Sequence, residues 1–468
     1  MASQVSKQDE SFREYALNAP TLKVIFTACA PLALYQALHT IFKIFDAMMA
    51  SYISASAVSA VSCLTQITLM ITALGSGLAA GGCIKISEAY GQGDYELVRR
   101  RVATVYAMAV LTGLVIMVTL VPFAEPFLRL LKTPEDLIRT GAGYFRVEII
   151  SLVVNFFNTV YIAIERSRGH ARKILILNMV IIIVKLCLSA LFVYGLRCAD
   201  VIMIAVATLI GQSLLMVYAL FSMSRDDGAF RFALGNVRLK KDTVFPILNL
   251  SYPVAAEKML FAAGKVSVNS MSALYGPLTV GALGISNNIG GLTTSWQSGL
   301  MDGAAPLISQ NRGAGKYRRT VKIYFQLMLI DVLIGLAGIL TVSQTLPWLA
   351  KVFAQSENTF DQGFCDQIVA IHQWEMFGYI TLGINSATLS LLLGYGYTKL
   401  TLFVNVARVF VFRVPVLWAF QQFTALGTEA VGLTMMISNV CTGVTAVVVA
   451  IPVLMKIKRK IQEEPVIE

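Results

Sequence analysis

The sequence predicts an all-α polytopic membrane protein: twelve transmembrane helices in two six-helix bundles, related by a pseudo-two-fold axis along the membrane normal. Three observations point there. Of 468 residues, 56% are hydrophobic and only 14% charged, whereas a soluble domain carries about 25% charge. Mean hydropathy is +0.68. Twelve apolar stretches each approach the ~20 residues needed to cross a hydrocarbon core, and the second half of the chain repeats the first. A surface this apolar could not be kept wet, which excludes a soluble enzyme or a disordered chain.

The stretches run over 21–51, 57–86, 102–123, 143–164, 174–196, 201–222, 244–274, 279–309, 323–346, 367–393, 400–420 and 430–455. Several are long enough to require tilt or extension beyond the hydrocarbon. The connections are short, and none holds a soluble domain. Residues 1–222 are expected to form the N-terminal lobe, 223–243 a cytoplasmic linker, and 244–468 the C-terminal lobe.

The charges alternate along the loops. Of 38 basic residues, 25 lie in the tails and even-numbered loops, among them Arg99–Arg101, Lys240–Lys241 and Lys456–Lys460, and 5 in the odd loops. The positive-inside rule places both termini in the cytoplasm. The net charge of +11 is therefore a topology signal, and no nucleic-acid partner is expected. Seven scattered cysteines without a C-x-x-C pair read as small hydrophobes.

Shifting the chain by 222 residues gives a gapless match. It pairs Pro31 with Pro253, Ala33 with Ala255, Lys43 with Lys265, Ser76-Gly77-Leu78 with Ser298-Gly299-Leu300, and Ile86–Tyr95 with Ile308–Tyr317. After a five-residue slip, Gly169, Arg172 and Asn178 meet Gly396, Lys399 and Asn405. A repeat of six helices returns the chain to the same side, so both copies share one orientation. Two such bundles leave a central cleft suited to a midplane site and to alternating access by rocking.

Gly276–Ile289 (GPLTVGALGISNNI), Gly299–Gly315 (GLMDGAAPLISQNRGAG), the Asp46 region with ISEAYGQGD, and the N-x-x-R-x-x-x-x-R-x-P spacing of Asn405, Arg408, Arg413 and Pro415 together resemble the MATE (multidrug and toxic compound extrusion) family of transporters, in its prokaryotic form. The likeness runs from about Pro31 to Pro415. It implies twelve helices in two lobes and export of organic compounds driven by entry of Na⁺ or H⁺.

Ionisable residues inside a bilayer cost ~2.5–3.5 kcal/mol each on insertion scales and mark sites. Eight bases are left outside the loop counts: Lys23, Lys43, Arg146, Lys185, Lys258, Lys265, Arg408 and Arg413. Acids within spans include Asp46, Glu148, Glu257, Asp302, Asp331 and Glu375. His39, Lys43 and Asp46 follow i, i+4, i+7 spacing and fall within about 60° of one helix face. Asp46 matches the helix 1 aspartate of the family and is the expected proton or cation acceptor; a static Lys43–Asp46 ion pair is the plainer alternative. Lys185 and Ser189 stand where the family commonly has asparagine and aspartate. A lysine can take the place of a bound cation, so Lys185 is expected to pair with Asp46 and favour H⁺ over Na⁺ coupling, unless it merely snorkels. Glu257, four residues after Pro253, is a second coupling candidate. His372 and Glu375, one turn apart, read as a proton-handling pair, with no third ligand for a metal. Lys265, Asn178, Trp296, Gln297, Trp374, Tyr379, Asn385 and Arg408 are expected to line the cleft, where aromatics and amides suit amphipathic organic cations; ordinary helix packing would explain them equally.

Neither a P-loop nor G-x-S-x-G occurs. Gly91-Gln92-Gly93-Asp94 resembles the G-x-G-D of aspartyl proteases, but its repeat partner is G-A-G-K, in a basic loop, so a glycine turn is the better reading. The expected function is a secondary-active exporter, not an enzyme, without cofactor, acting as a monomer on a small organic substrate in the lipid bilayer by antiport with H⁺ or Na⁺. The alternatives are a lipid-linked oligosaccharide flippase of the same superfamily and a non-transporting membrane protein.

Overall fold

A computed structural model describes residues 7–51, 55–130, 135–192, 202–226, 228–354 and 361–463; the side chains of 43–67 lie outside that description. Among the described residues the regular elements are all helical, as expected of backbone that must satisfy its own hydrogen bonds in lipid. The helices are α1 (Lys7–Asn18), α2 (Thr21–Ser51), α3 (Ala55–Gln92), α4 (Tyr95–Leu120), α5 (Ala124–Leu130), α6 (Glu135–Ser167), α7 (Ala171–Ala190), α8 (Ile202–Ser224), α9 (Lys241–Ser272), α10 (Pro277–Gly313), α11 (Tyr317–Ala354), α12 (Gln362–Glu375), α13 (Tyr379–Gly394), α14 (Thr398–Ala407), α15 (Val414–Phe423) and α16 (Glu429–Glu463). Among the described residues, ten helical stretches are long and apolar enough to cross a membrane. The remaining two expected spans are the helices α9 and α10, which carry Glu257, Lys258 and Lys265, and a run of Gly, Ser, Thr and Asn, respectively.

Three details differ from the sequence expectation. The stretch 367–393 is broken into α12 and α13 by a 3₁₀ turn at Met376–Gly378. The stretch 400–420 is two helices joined by a π turn over Arg408–Arg413, where Pro415 has no N–H to give to the ladder. The N-terminal segment forms α1, whose Arg13 donates from Nε to Tyr90 O (2.9 Å) and from Nη2 to Gly91 O (2.9 Å). Phe12 fills the space beside Gly169, where a Cβ would fall 1.9 Å from its ring.

The repeat is visible in the turns. Gly93 and Gly315 have φ of 80° and 77°, and Gly169 and Gly396 have 80° and 78°. Each pair ends corresponding helices in the left-handed region that glycine adopts without strain. Asp94 of the G-x-G-D stretch is the N-cap of α4, accepting from Leu97 N at 3.0 Å. The helices correspond as well: α3 with α10 and α4 with α11 at a separation of 222, and α6 with α12–α13 at 227.

The chain forms two compact units, 1–19 with 41–259, and 20–40 with 260–468. Each takes the leading part of a helix from the other half of the sequence, so the units are not the expected lobes. The physical reason is a reciprocal pair of small-residue crossings. In the first unit Gly77 and Gly81 of α3 abut Ser251 and Ala255 of α9: a Cβ on Gly77 would lie 2.7 Å from Ser251 O, and one on Gly81 2.9 Å from Ile247 O. In the second unit Gly299 and Gly303 of α10 abut Ala33 and Cys29 of α2, with a Cβ on Gly299 only 2.3 Å from Ala33 Cα. All four contacts are repeat-related, 222 residues apart. Glycine spaced as small-x-x-x-small lets backbones approach where lipid supplies no hydrophobic drive for helix association.

The linker after α8 is bound to the first unit. Asp226 pairs with Arg168, whose guanidinium also lies 4.9 Å from the centroid of the Phe230 ring. Phe230 is buried edge-on against Tyr90, centroids 5.1 Å apart. Buried Glu165 receives His170 Nδ1 at 2.6 Å and Lys173 Nζ at 3.2 Å. These basic residues are therefore satisfied within the chain.

Candidate functional site

The second unit contains a buried polar chain assembled from α10, α12 and α13. His372 is fully buried. The Ser286 hydroxyl donates to Glu375 Oε2, which leaves its oxygen to accept from His372 Nδ1 at 2.8 Å. His372 Nε2 lies 2.7 Å from the Tyr379 hydroxyl, so one continuous hydrogen-bonded chain joins Tyr379, His372, Ser286 and Glu375. His372 and Glu375 are bridged: the direct Nδ1···Oε2 separation is 3.8 Å, and Ser286 closes it. Sequence reading missed Ser286, although it lies in the GALGISNNI stretch that carries the resemblance.

Two arginines of the π turn complete the network. Arg413 is buried, donating from Nε to Ser438 Oγ (3.1 Å) and from Nη2 to Asn439 Oδ1 (3.2 Å). Arg408 Nη2 donates to the same Oδ1 at 2.8 Å. Both guanidinium groups interact electrostatically with Glu375. The extra backbone residue of the π turn brings the two side chains, five apart in sequence, onto one asparagine, which a regular α-helix would not do. Arg408 also lies over the Phe261 ring at 5.5 Å, and Lys265 approaches that ring at 5.3 Å. Arg408, Glu375, His372 and Lys265 are therefore brought together.

Other candidates are elsewhere. Trp296 is 38% exposed while its neighbour Gln297 is 1% exposed. Gln297 Nε2 donates to Asp331 O (3.1 Å) and Tyr379 O (3.0 Å), tying α10 to α11 and α13. Asn385 is buried. Trp374 Nε1 is shielded and has no protein partner among the described residues. Asn178 is buried and donates along its own helix to Ile174 O at 2.8 Å, a packing role. His39 stacks at a tilt on Tyr35, centroids 5.8 Å apart. Two residues not singled out from the sequence flank this region of α2: Gln36 Nε2 donates to Asp302 at 3.3 Å, and Thr40 bonds Ser295 at 2.5 Å.

In the first unit, Glu148 on α6 is the repeat counterpart of Glu375, at a separation of 227. Lys185 on α7 interacts with it electrostatically, one position from the counterpart of Arg413. Both units thus oppose an acid of the fourth span of the repeat to a base of the fifth. The side chains of Lys43 and Asp46 lie outside the described residues, so the expected Lys185–Asp46 pair does too. Glu257 is partly buried in the first unit.

Comparison with known proteins agrees with this architecture. The MatE family model matches residues 31–191 and 253–419, two segments whose starts are the repeat distance apart. The chain is 21% identical over 403 residues to the probable multidrug resistance protein YoeA of Bacillus subtilis, covering 85% of this chain and 86% of that one. It is 24% identical over 343 residues to the multidrug export protein MepA of Staphylococcus haemolyticus, covering 72% and 73%. A solved outward-facing structure of a multidrug resistance MATE family transporter of the MOP superfamily superposes with a TM-score of 0.91 at 18% identity, over 97% of this chain and all of that one.

Proposed function

The chain belongs to the MatE family and is a multi-pass membrane transporter, and on that premise we propose that it exports amphipathic organic cations by antiport with H⁺, through alternating access. The observation that carries the reading is the buried hydrogen-bonded chain Tyr379–His372–Ser286–Glu375. A structural core would not need a buried titratable pair, and ionisable groups inside a bilayer are retained for function. Its counterpart in the first unit, Glu148 with Lys185, supports coupling chemistry in both halves of the repeat. A lysine at 185 already supplies a positive charge beside an acid, which favours H⁺ over Na⁺. Asp46 and Glu257 are the further coupling carboxylates, with His39 and Lys43 on the face of Asp46. Exposed aromatics such as Trp296, with the Phe261 ring, suit a flat cationic substrate. The loop-charge asymmetry supports a plasma-membrane orientation with both termini cytoplasmic.

Flux of a fluorescent cationic dye through the reconstituted protein, under imposed pH or Na⁺ gradients, tests this. Export is expected to follow the pH gradient and to fall in Glu375→Gln and Asp46→Asn. Absence of gradient-dependent flux overturns the exporter reading; strict Na⁺ dependence abolished by Asp46→Asn overturns the H⁺ assignment.

A further inference from the structure

Asp331 belongs to none of the networks above. It sits within α11 and is fully buried, at 0% exposure. Neither carboxylate oxygen has a hydrogen-bond partner among the described residues. Its helical stripe, Tyr324, Leu327, Asp331, Gly335, faces α13 and α10: Tyr324 bonds Thr388 at 3.2 Å, and a Cβ on Gly335 would lie 3.0 Å from Ile380 Cα. Beside it, Gln297 spends its amide nitrogen on two backbone carbonyls. Those acceptors forbid the flipped amide, so Gln297 Oε1 is left as an acceptor, and it too is buried without a partner. Three acceptor oxygens, one pair of them on an acid, are shielded with no donor to meet them.

The repeat shows that the fold does not require this. Gln297, Asp331 and Gly383 correspond to Gly75, Ala109 and Phe156 of the first unit. The register is independently fixed by contacts: Gly113 meets Val153 where Gly335 meets Ile380, and Gly75 meets the Phe156 ring where Gln297 meets Gly383. In the first unit the Phe156 ring fills the space over Gly75, 2.4 Å from where a Cβ would be, and the position of the acid is taken by buried Ala109. The second unit replaces the ring by glycine and supplies an amide and a carboxyl instead.

An unpaired carboxylate in such a place costs several kcal/mol unless it is neutralised. The titratable groups on neighbouring helices are engaged elsewhere: Tyr324 with Thr388, Tyr379 with His372, and His372 and Glu375 through Ser286; Asp302 of α10 receives Gln36. What the locus lacks is positive charge. We propose that Asp331 and Gln297 Oε1 form a buried binding site for one small monovalent cation, H⁺ or Na⁺, between α10, α11 and α13. As a proton site, the carboxyl is neutralised by its own O–H; as a Na⁺ site, carboxylate and amide oxygens are the hard ligands that ion prefers. Its part in coupling rests on the antiport reading; its occupancy does not.

Cation binding to the purified full-length protein in liposomes tests the site without transport. Two readouts are used: the carboxylic C=O band in pH-difference infrared spectra, and equilibrium binding of radiolabelled Na⁺. Asp331→Asn is expected to remove either one carboxylic band or one bound Na⁺ per chain, which also identifies the ion. Glu375→Gln leaves that signal in place. Gln297→Leu shifts its midpoint by about one pH unit or its Kd by about tenfold. The triple change Gln297→Gly, Asp331→Ala, Gly383→Phe copies the first unit's apolar filling, so a folded triple variant lacking the signal confirms the assignment without loss of structure. If Asp331→Asn, folded, keeps both the band and the Na⁺ stoichiometry, the site is overturned. Cation binding without dye flux refutes the exporter reading alone.

Discussion

Two repeat-related places in this protein solve one packing problem in opposite ways. At Gly75, Ala109 and Phe156 the first unit closes three helices with an aromatic ring; at Gln297, Asp331 and Gly383 the second closes them with an amide and an acid. The same contrast holds about three turns away along α10, where buried His372, Ser286 and Glu375 stand against Phe145 and Glu148. Duplicated bundles keep what positions the backbone, namely the glycine crossings and turns, and diverge where side chains meet. The second unit carries the denser buried polar network, and that asymmetry is where chemistry has been added to a symmetric frame.

The comparison can be broken at its strongest point by Arg413→Ala. It leaves Glu375 buried with less compensation, and a loss of about 3–5 kcal/mol is expected, read as a large fall in the thermal melt of the purified protein. Lys185→Ala in the first unit, where both partners are only partly buried, should cost well under half as much. Phe156→Ala opens a cavity over Gly75 and is expected to cost about 3 kcal/mol. Gln297→Gly opens no aromatic cavity but strips a donor from two buried carbonyls, for an expected loss of about 1–3 kcal/mol; an apolar ligand that fills cavities should therefore rescue the melt of Phe156→Ala and not that of Gln297→Gly.

The glycine crossings sharpen the symmetric half of the comparison. Gly299→Ala and Gly77→Ala each force a Cβ into opposing backbone, and each is expected to destabilise by about 2 kcal/mol; a large difference between them would show that the two crossings are not equivalent. At high pH without Na⁺, where the Asp331 site is empty, Asp331→Asn removes an unpaired charge, so there stability is expected to rise by about 1 kcal/mol rather than fall. Smallest is Gly284→Ala. A Cβ there meets nothing within 4 Å, and the gain in helix propensity is about 0.5–1 kcal/mol.

Much of the architecture was legible in the sequence. Span length, hydropathy and loop charge follow from the bilayer as a solvent, which acts on composition residue by residue. The repeat was legible because glycine has no substitute at a left-handed turn or a backbone crossing: Gly93/Gly315, Gly169/Gly396 and Gly77/Gly299 survive in both copies while their surroundings drift. The amphipathic α1 was not, since its Phe12 and Arg13 make sense only against Gly169 and Gly91. Nor was the exchange of α2 and α9 segments between units, because a crossing needs two helices and each sequence stretch describes one.

Of the candidate site, His372 and Glu375 were readable from spacing, since i, i+3 residues share a helix face. Ser286 and Tyr379 turn that pair into a hydrogen-bonded chain across three helices, and no local pattern encodes it. Asp331 marks the boundary most sharply. As a letter in the sequence it is one acid among several in apolar spans. Only the packing of α11 against α10 and α13 shows that it is buried, unpaired and seated where the other half of the molecule places an apolar side chain. Solvent selects composition, so composition reports the membrane and the spans; the partner of a buried charge is chosen by helices distant in sequence, and only their tertiary arrangement decides it.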